Sequence, residues 1–183
     1  ASDVYKRQRR DWSRYGQNKG SLADVQAVSK AVAYLRDHNL YTLKDLDEAL
    51  QDVNGRAAEI RSATKTAETR MKTITQIQKA VSVCKEHKAV KDKYLKIGWK
   101  TAQAVYAETH KDALSAFDKS FRFLRKQGLD LRVDLTALQS EFDTLAKSVE
   151  ENNAKLSEVK AELQPLKDVR YWISKVIEPE QGE

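Results

Sequence analysis

The sequence predicts an all-α protein built on a long antiparallel helical hairpin, and three observations predict it. Ala, Glu, Lys, Leu and Arg make up nearly half of the 183 residues, close to the roughly 50 % share found in long helices and coiled coils. Two prolines and six glycines are too few for a β-sandwich, which needs a turn every 8–12 residues or so. Two separate stretches carry apolar residues at alternating spacings of three and four over many turns, the signature of a helical seam. The single cysteine excludes a disulfide framework and a cysteine-based zinc site. No stretch approaches the ~18 apolar residues of a membrane span, and no signal peptide is visible in these residues, so a cytoplasmic location is expected.

Residues 1–20 form a polar, basic segment with Arg9, Arg10, Arg14 and Lys19, expected to be disordered or foreign to the fold, with at most a helical turn near Trp12 and Tyr15. Within it, Asp3-Val4-Tyr5-Lys6-Arg7-Gln8 resembles an in-frame translation of a transposase mosaic end used as a sequencing adapter. That reading makes the chain a fragment whose native N-terminal portion is missing; the alternative is a natural basic tail. Residues 1–8 are set aside on this ground.

A short helix is expected over 21–40. Ser21 followed by Asp24 reads as an N-cap with an acid in the first turn, and Leu22, Val25, Val28, Val32 and Leu35 recur at helical spacing. His38-Asn39 ends it, since Asn tolerates the left-handed conformation of a helix stop. Thr42 and Asp45 repeat the capping pattern and open a long helix over 42–97. Its seam runs through Leu43, Leu46, Leu50, Val53, Ala57, Ile60, Thr64, Ala67, Met71 and Ile74, then shifts phase to Ile77, Val81 and Cys84. Gly55 inside it costs about 1 kcal/mol relative to Ala, and Gly98 stops it.

Residues 98–130 read as a small helical head. Trp99, Ala102, Val105 and Tyr106 fit one short helix; Leu114, Phe117, Phe121 and Leu124 fit another, closed by Gly128. Asp134 then caps a last long helix over 134–177. Its register holds Leu135, Leu138, Phe142, Leu145, Val149, Asn152, Leu156, Val159, Leu163, Leu166, Arg170, Ile173 and Ile177. Asn152 is a polar core position that can set register, and Pro165 is expected to kink or restart the helix. Residues 178–183 form a tail. The two seams have similar lengths, which favours an intramolecular hairpin whose open end holds the short helix beside Tyr171, Trp172 and Ile173. A parallel coiled-coil homodimer is the rival arrangement.

The net charge of +6 is unevenly placed. Residues 85–132 carry twelve cations against six acids, whereas residues 133–183 carry six cations against eleven acids. The basic head also holds Tyr94, Trp99, Tyr106, Phe117, Phe121 and Phe123. Cations interleaved with aromatics can track phosphates and stack bases. The candidate contact residues are Lys88, Lys91, Lys93, Lys96, Lys100, Arg122, Arg125 and Lys126, for non-specific nucleic acid or an acidic protein partner. The structural alternative is that the aromatics fill a small core and the lysines solvate its outside.

No catalytic constellation is visible. His38, His87 and His110 are far apart. Cys84, Glu86 and His87 do not share one helix face, and a metal site needs more ligands. Cys84 is read as a small apolar seam residue, without the neighbouring base a nucleophile needs. No Gly-rich phosphate loop occurs, and Glu150-Glu151 reads as a solvated helix face. No catalytic residue, metal or cofactor is expected.

Four stretches carry a family resemblance: Ala33-Tyr34-Leu35-Arg36-Asp37-His38-Asn39-Leu40; Ala67-Glu68-Thr69-Arg70-Met71-Lys72-Thr73-Ile74; Tyr94-Leu95-Lys96-Ile97-Gly98-Trp99; and Phe117-Asp118 with Gly128. In this order and spacing the chain, from about Trp12 to Ile177, resembles the C-terminal helical region of relaxases, the mobilisation nucleases of bacterial conjugative elements. The family's catalytic domain lies upstream of such a region and nicks one DNA strand with a Tyr nucleophile and a His-ligated divalent metal. No residue here matches that motif, and Tyr5 and Tyr15 have no His cluster nearby. The resemblance therefore implies a non-catalytic accessory module involved in mobilising plasmid or conjugative-element DNA. Such a module could position single-stranded DNA, contact transfer proteins or self-associate. The alternative is a purely structural coiled-coil spacer or protein-interaction adaptor with no nucleic-acid role.

Overall fold

The computed structural model describes residues 20–177. The basic segment expected before Gly20 and the tail expected over 178–183 lie outside the described residues. Among the described residues five helices follow one another: α1, Gly20–Asp37; α2, Leu43–Lys96; α3, Lys100–Thr109; α4, Lys111–Lys126; and α5, Leu135–Ile177. Among the described residues there is no strand.

Local chemistry sets most of the boundaries. Ser21 lies inside α1 rather than before it, because the chain is already helical at Gly20. The other end of α1 follows the sequence reading. Asn39 takes a left-handed φ of 55°, its N–H bonds the Arg36 carbonyl, and the Leu40 N–H reaches back to the Leu35 carbonyl at 2.8 Å. This pair of bonds satisfies carbonyls that a helix end otherwise leaves open. Gly128, with φ 72°, closes α4 in the same way: its N–H bonds Arg125 and the Leu129 N–H bonds Leu124.

At the start of α2, the Thr42 hydroxyl accepts from the Asp45 N–H at 3.1 Å. The Asp45 carboxylate accepts from the Thr42 N–H at 2.9 Å and from the Tyr41 N–H at 3.1 Å. This reciprocal box satisfies donors with no partner inside the helix. The Thr42 bonds chiefly hold the Asp45 carboxyl below its ordinary value. At the start of α5, Asp134 Oδ1 accepts from both Thr136 and Ala137 N–H groups at 3.0 Å. Pro165 does not end α5, which continues to Ile177. The proline removes one N–H donor from the ladder, and packing on both sides holds the helix through it.

The chain divides into two compact units. The described parts of Ala1–Arg61 and Ala154–Glu183 form one, and Ser62–Asn153 the other. The long helices α2 and α5 each contribute a segment to both.

In the first unit, Leu46, Val53 and Ala57 of α2 pack with Val159, Leu163, Leu166 and Val169 of α5 and with Ala31 of α1. Asp47 meets Arg170 at 3.1 Å, and Arg56 pairs with Glu162, so partners run in opposite directions and the segments are antiparallel. Arg170, which spacing assigns to the seam, instead lies at its edge and bonds Asp47, and the neighbouring Val169 is the buried residue. Tyr34, Leu35, Trp172 and Ile173 pack against the cluster, as expected for a short helix beside Trp172 and Ile173, whereas Tyr171, expected there too, is 49 % exposed.

The buried face of α1 differs from the sequence reading. Val25 and Val32 are 55 % and 60 % exposed, and Ala31, with Tyr34 and Leu35 beside it, packs inward instead. Ala27, Ala31 and Tyr34 face Pro165, Val169 and Trp172 across a shallow groove. A small residue such as alanine admits a bulky neighbour where a valine would stand in the way.

In the second unit, Ile74, Ile77, Ala80, Val81 and Cys84 of α2 pack with Phe117 and Leu124 of α4 and Leu138 of α5. Phe121, Phe123, Leu129, Leu131, Val133, Phe142 and Leu145 surround them. Each fully buried aliphatic side chain here contributes about 1.5–3 kcal/mol. Arg70 clamps Glu141 through two bonds of 2.6 and 2.9 Å, and Gln78 bonds Gln139 at 2.9 Å, again an antiparallel match. The phase shift after Ile74 is therefore real: Ile77, Val81 and Cys84 serve a cluster that includes α4 as well as α5.

Candidate nucleic-acid interface

The head is built around the C-terminal part of α2. Helix α4 packs antiparallel to it. Asp118 lies opposite Lys91, the Cys84 thiol donates to the Phe117 carbonyl at 3.7 Å, and Leu124 joins the cluster of Ile74 and Ile77. The aromatic residues of α4 follow the structural alternative raised by the sequence. Phe117 is buried, and Phe121 and Phe123 pack against the core.

Helix α3 behaves differently. None of its residues is buried. Val105 is 68 % exposed, and Trp99, just before the helix, is 80 % exposed. Of the four residues that spacing places on one helix, Ala102, Val105 and Tyr106 lie on α3, whereas Trp99 is the extended residue just before it, and none of the four is a core residue. Apart from Val105 and Tyr106 this ten-residue helix carries only small or polar side chains, too little apolar surface to pull it inward. That composition is the one signal in the sequence that could have exposed Trp99.

The eight candidate cations separate by what they touch. Lys88 pairs with Asp92 one turn on. Lys91 bonds Asp118 at 2.8 Å with its side chain only 19 % exposed. Its ammonium also lies 5.3 Å from the Tyr94 ring and 5.9 Å from the Phe117 ring. It ties α2 to α4 and is spent on that. Lys93 sits 5.5 Å over the Tyr106 ring, whose other contact is the His110 ring at 4.2 Å. Lys96, Lys100, Arg122, Arg125 and Lys126 are exposed. Among the described residues these five meet no carboxylate at ion-pair distance.

These five cations do not form one patch. With Asp118 opposite Lys91 and α4 running back along α2, Lys96 lies five residues to one side of that contact. Arg125 lies seven residues to the other. At 1.5 Å per residue the two groups are roughly 18 Å apart along the helices. One group, Lys96 and Lys100, brackets Trp99. The other, Arg122, Arg125 and Lys126, lines the outer face of α4.

Beside the first group runs an open groove of about 560 Å³, lined by Ile97, Thr101, Ala102, Val105, Tyr106, Thr109 and His110. The backbone leading into it is well held. The Ile97 N–H bonds the Tyr94 carbonyl, Gln103 Nε2 donates to the same carbonyl at 3.2 Å, and the Gln103 N–H bonds the Trp99 carbonyl at 2.9 Å.

Cys84 is buried, and burial chiefly, with the Asp118 charge second, pushes its thiol up. The nearby Glu86 is exposed and does not converge with it. His38 bonds the Tyr34 carbonyl and stacks on the Tyr34 ring. Among the described residues, no three His, Cys, Asp or Glu side chains lie close enough to hold a metal ion, and no helix is long and apolar enough to cross a membrane. Tyr5 and Tyr15 lie outside the described residues. No protein-family model matches the chain, and no curated protein or solved structure is detectably similar to it.

Proposed function

We propose that the chain is a non-catalytic accessory helical module of a DNA-mobilisation protein of the relaxase type, and that its head contacts single-stranded DNA. The observation that carries this reading is how the cations are divided. Arg56, Arg70, Arg170 and Lys91 spend their charge on carboxylates of neighbouring helices. Lys96, Lys100, Arg122, Arg125 and Lys126 find no such partner among the described residues. Cations that fold stability does not use are the ones a phosphate backbone can engage while releasing its counterions. The class of protein comes from the four stretches that resemble relaxase tails.

Salt titration of oligonucleotide binding tests the reading. Each single-strand phosphate contact adds about 0.7 to the slope of log affinity on log salt, so five engaged cations predict a slope of at most about 3.5. Absence of binding even at low salt would refute it. Reversing Arg122, Arg125 and Lys126 to Glu should lower both affinity and slope.

A spacer or protein-interaction arm is the second reading, favoured by the exposed valines of α1. It predicts no oligonucleotide binding for the reversal to change.

A further inference from the structure

We infer that Trp99 is a stacking platform for an unpaired base of a single strand, with Lys96 and Lys100 holding the phosphates on either side. The inference rests on the reading of the head as a DNA contact and goes further by naming the residue that selects single strands.

Three features of the head point to it. Trp99 is 80 % exposed, and its indole stacks on no ring among the described residues. An indole left this open keeps a broad apolar face free for a stacking partner. The backbone that carries the ring is also held. Ile97, Gly98 and Trp99 join α2 to α3, and the Tyr94 and Trp99 carbonyls both accept from Gln103. Binding therefore has little backbone left to order.

The charge then chooses the occupant. Lys96 and Lys100 flank Trp99 without a carboxylate, and the nearest acid on α2, Asp92, is taken by Lys88. An exposed aromatic between unpaired cations suits a base with its two neighbouring phosphates. The groove along α3, floored by Ala102, Val105 and Tyr106, offers the next base and sugar an apolar bed. A duplex keeps its bases stacked on one another, so it can use the lysines but not the indole.

The experiment uses the intact chain with Trp12→Phe and Trp172→Phe, so that Trp99 alone emits. An oligo-dT of about twelve nucleotides, within the ~4–16 nucleotide span of single-strand sites, is titrated against a duplex of the same length. The single strand is expected to quench Trp99 emission to saturation, with quenching that weakens as salt rises, and the duplex to leave it nearly unchanged. In the otherwise native chain, binding is read by anisotropy of a labelled oligonucleotide. Trp99→Ala should weaken it about 5- to 100-fold, and Trp99→Phe should restore most of the loss.

Equal quenching by duplex and single strand overturns the platform. So does an unchanged affinity in Trp99→Ala where reversal of Arg122, Arg125 and Lys126 abolishes binding, and that result leaves the DNA reading of the head standing. No oligonucleotide binding at low salt removes both. Quenching by a polyglutamate peptide in place of the oligonucleotide overturns the platform in favour of an acidic protein partner.

Discussion

Replacing Trp99 by Ala should barely affect stability, whereas replacing Phe117 by Ala should cost several kcal/mol. The two aromatics lie in the same head, and their environments set the contrast. Trp99 is 80 % exposed and Phe117 is 8 % exposed. An aromatic side chain buries about 150–250 Å² when fully enclosed. A fifth of that at ~25 cal/mol per Å² is about 1 kcal/mol, an upper bound because the unfolded chain is itself partly collapsed. Phe117 packs against Cys84, Leu124 and the isoleucines of α2. Its truncation adds a cavity to the lost burial, for about 3–5 kcal/mol. The assay is urea denaturation followed by far-UV circular dichroism, which does not depend on the indole removed. The Phe117→Ala midpoint should fall well below that of the native chain while Trp99→Ala stays close to it. Equal losses would refute the reasoning, because they would mean that Trp99 is a core residue and that α3 is anchored through it.

Three further outcomes are expected. Gly55 sits exposed inside α2, and a Cβ there would meet nothing within 4 Å, so Gly55→Ala should raise stability by about 0.5–1 kcal/mol in the same denaturation assay. Hydrogen bonds from Arg70 chiefly hold the Glu141 carboxyl below its ordinary value. A lowered folded value means the pair's contribution is complete above the unfolded carboxyl range and is lost as pH falls through the folded one; below about pH 4.3 the native chain should therefore lose stability faster than Glu141→Gln, and melting temperatures across an acid series check this. Cys84 is buried with its thiol pushed up, so iodoacetamide should label it slowly in the folded chain and readily in urea, as mass spectrometry would show.

Much of the local structure was legible because it is decided by neighbours in sequence. The Thr42–Asp45 box, the Asp134 cap and the stops at Asn39 and Gly128 each need only a few adjacent residues. The seams of α2 and α5 were legible for the same reason, since spacing alone places Leu46, Val53, Ala57 and Ile74, and Val159, Leu163 and Leu166, on common faces. The face of α1 was not. That helix carries two apolar stripes, and periodicity cannot rank them. The choice between Val25 with Val32 and Ala27 with Ala31 depends on Pro165, Val169 and Trp172, which lie far away in the chain.

The candidate interface was half legible. Charge counting found the basic segment and its eight cations, but not that Lys88 and Lys91 are spent on Asp92 and Asp118. Nor did it separate Lys96 and Lys100 from the cluster on α4, because that distance follows from the antiparallel packing of α4 on α2. The aromatics were counted together as well, although Phe117 is enclosed and Trp99 stands in solvent.

The sequence by itself determined that this chain is helical, where its long helices begin, and most of the seam residues of α2 and α5. Helix formation, capping and amphipathic spacing act over a few residues, so composition and order suffice. Only the tertiary structure decided which face of α1 is covered, which cations keep their charge unpaired and which aromatic is left outside. Burial and ion pairing depend on partners distant in the chain. Arg70 meets Glu141 across 71 positions and Arg56 meets Glu162 across 106, and no local pattern records that meeting.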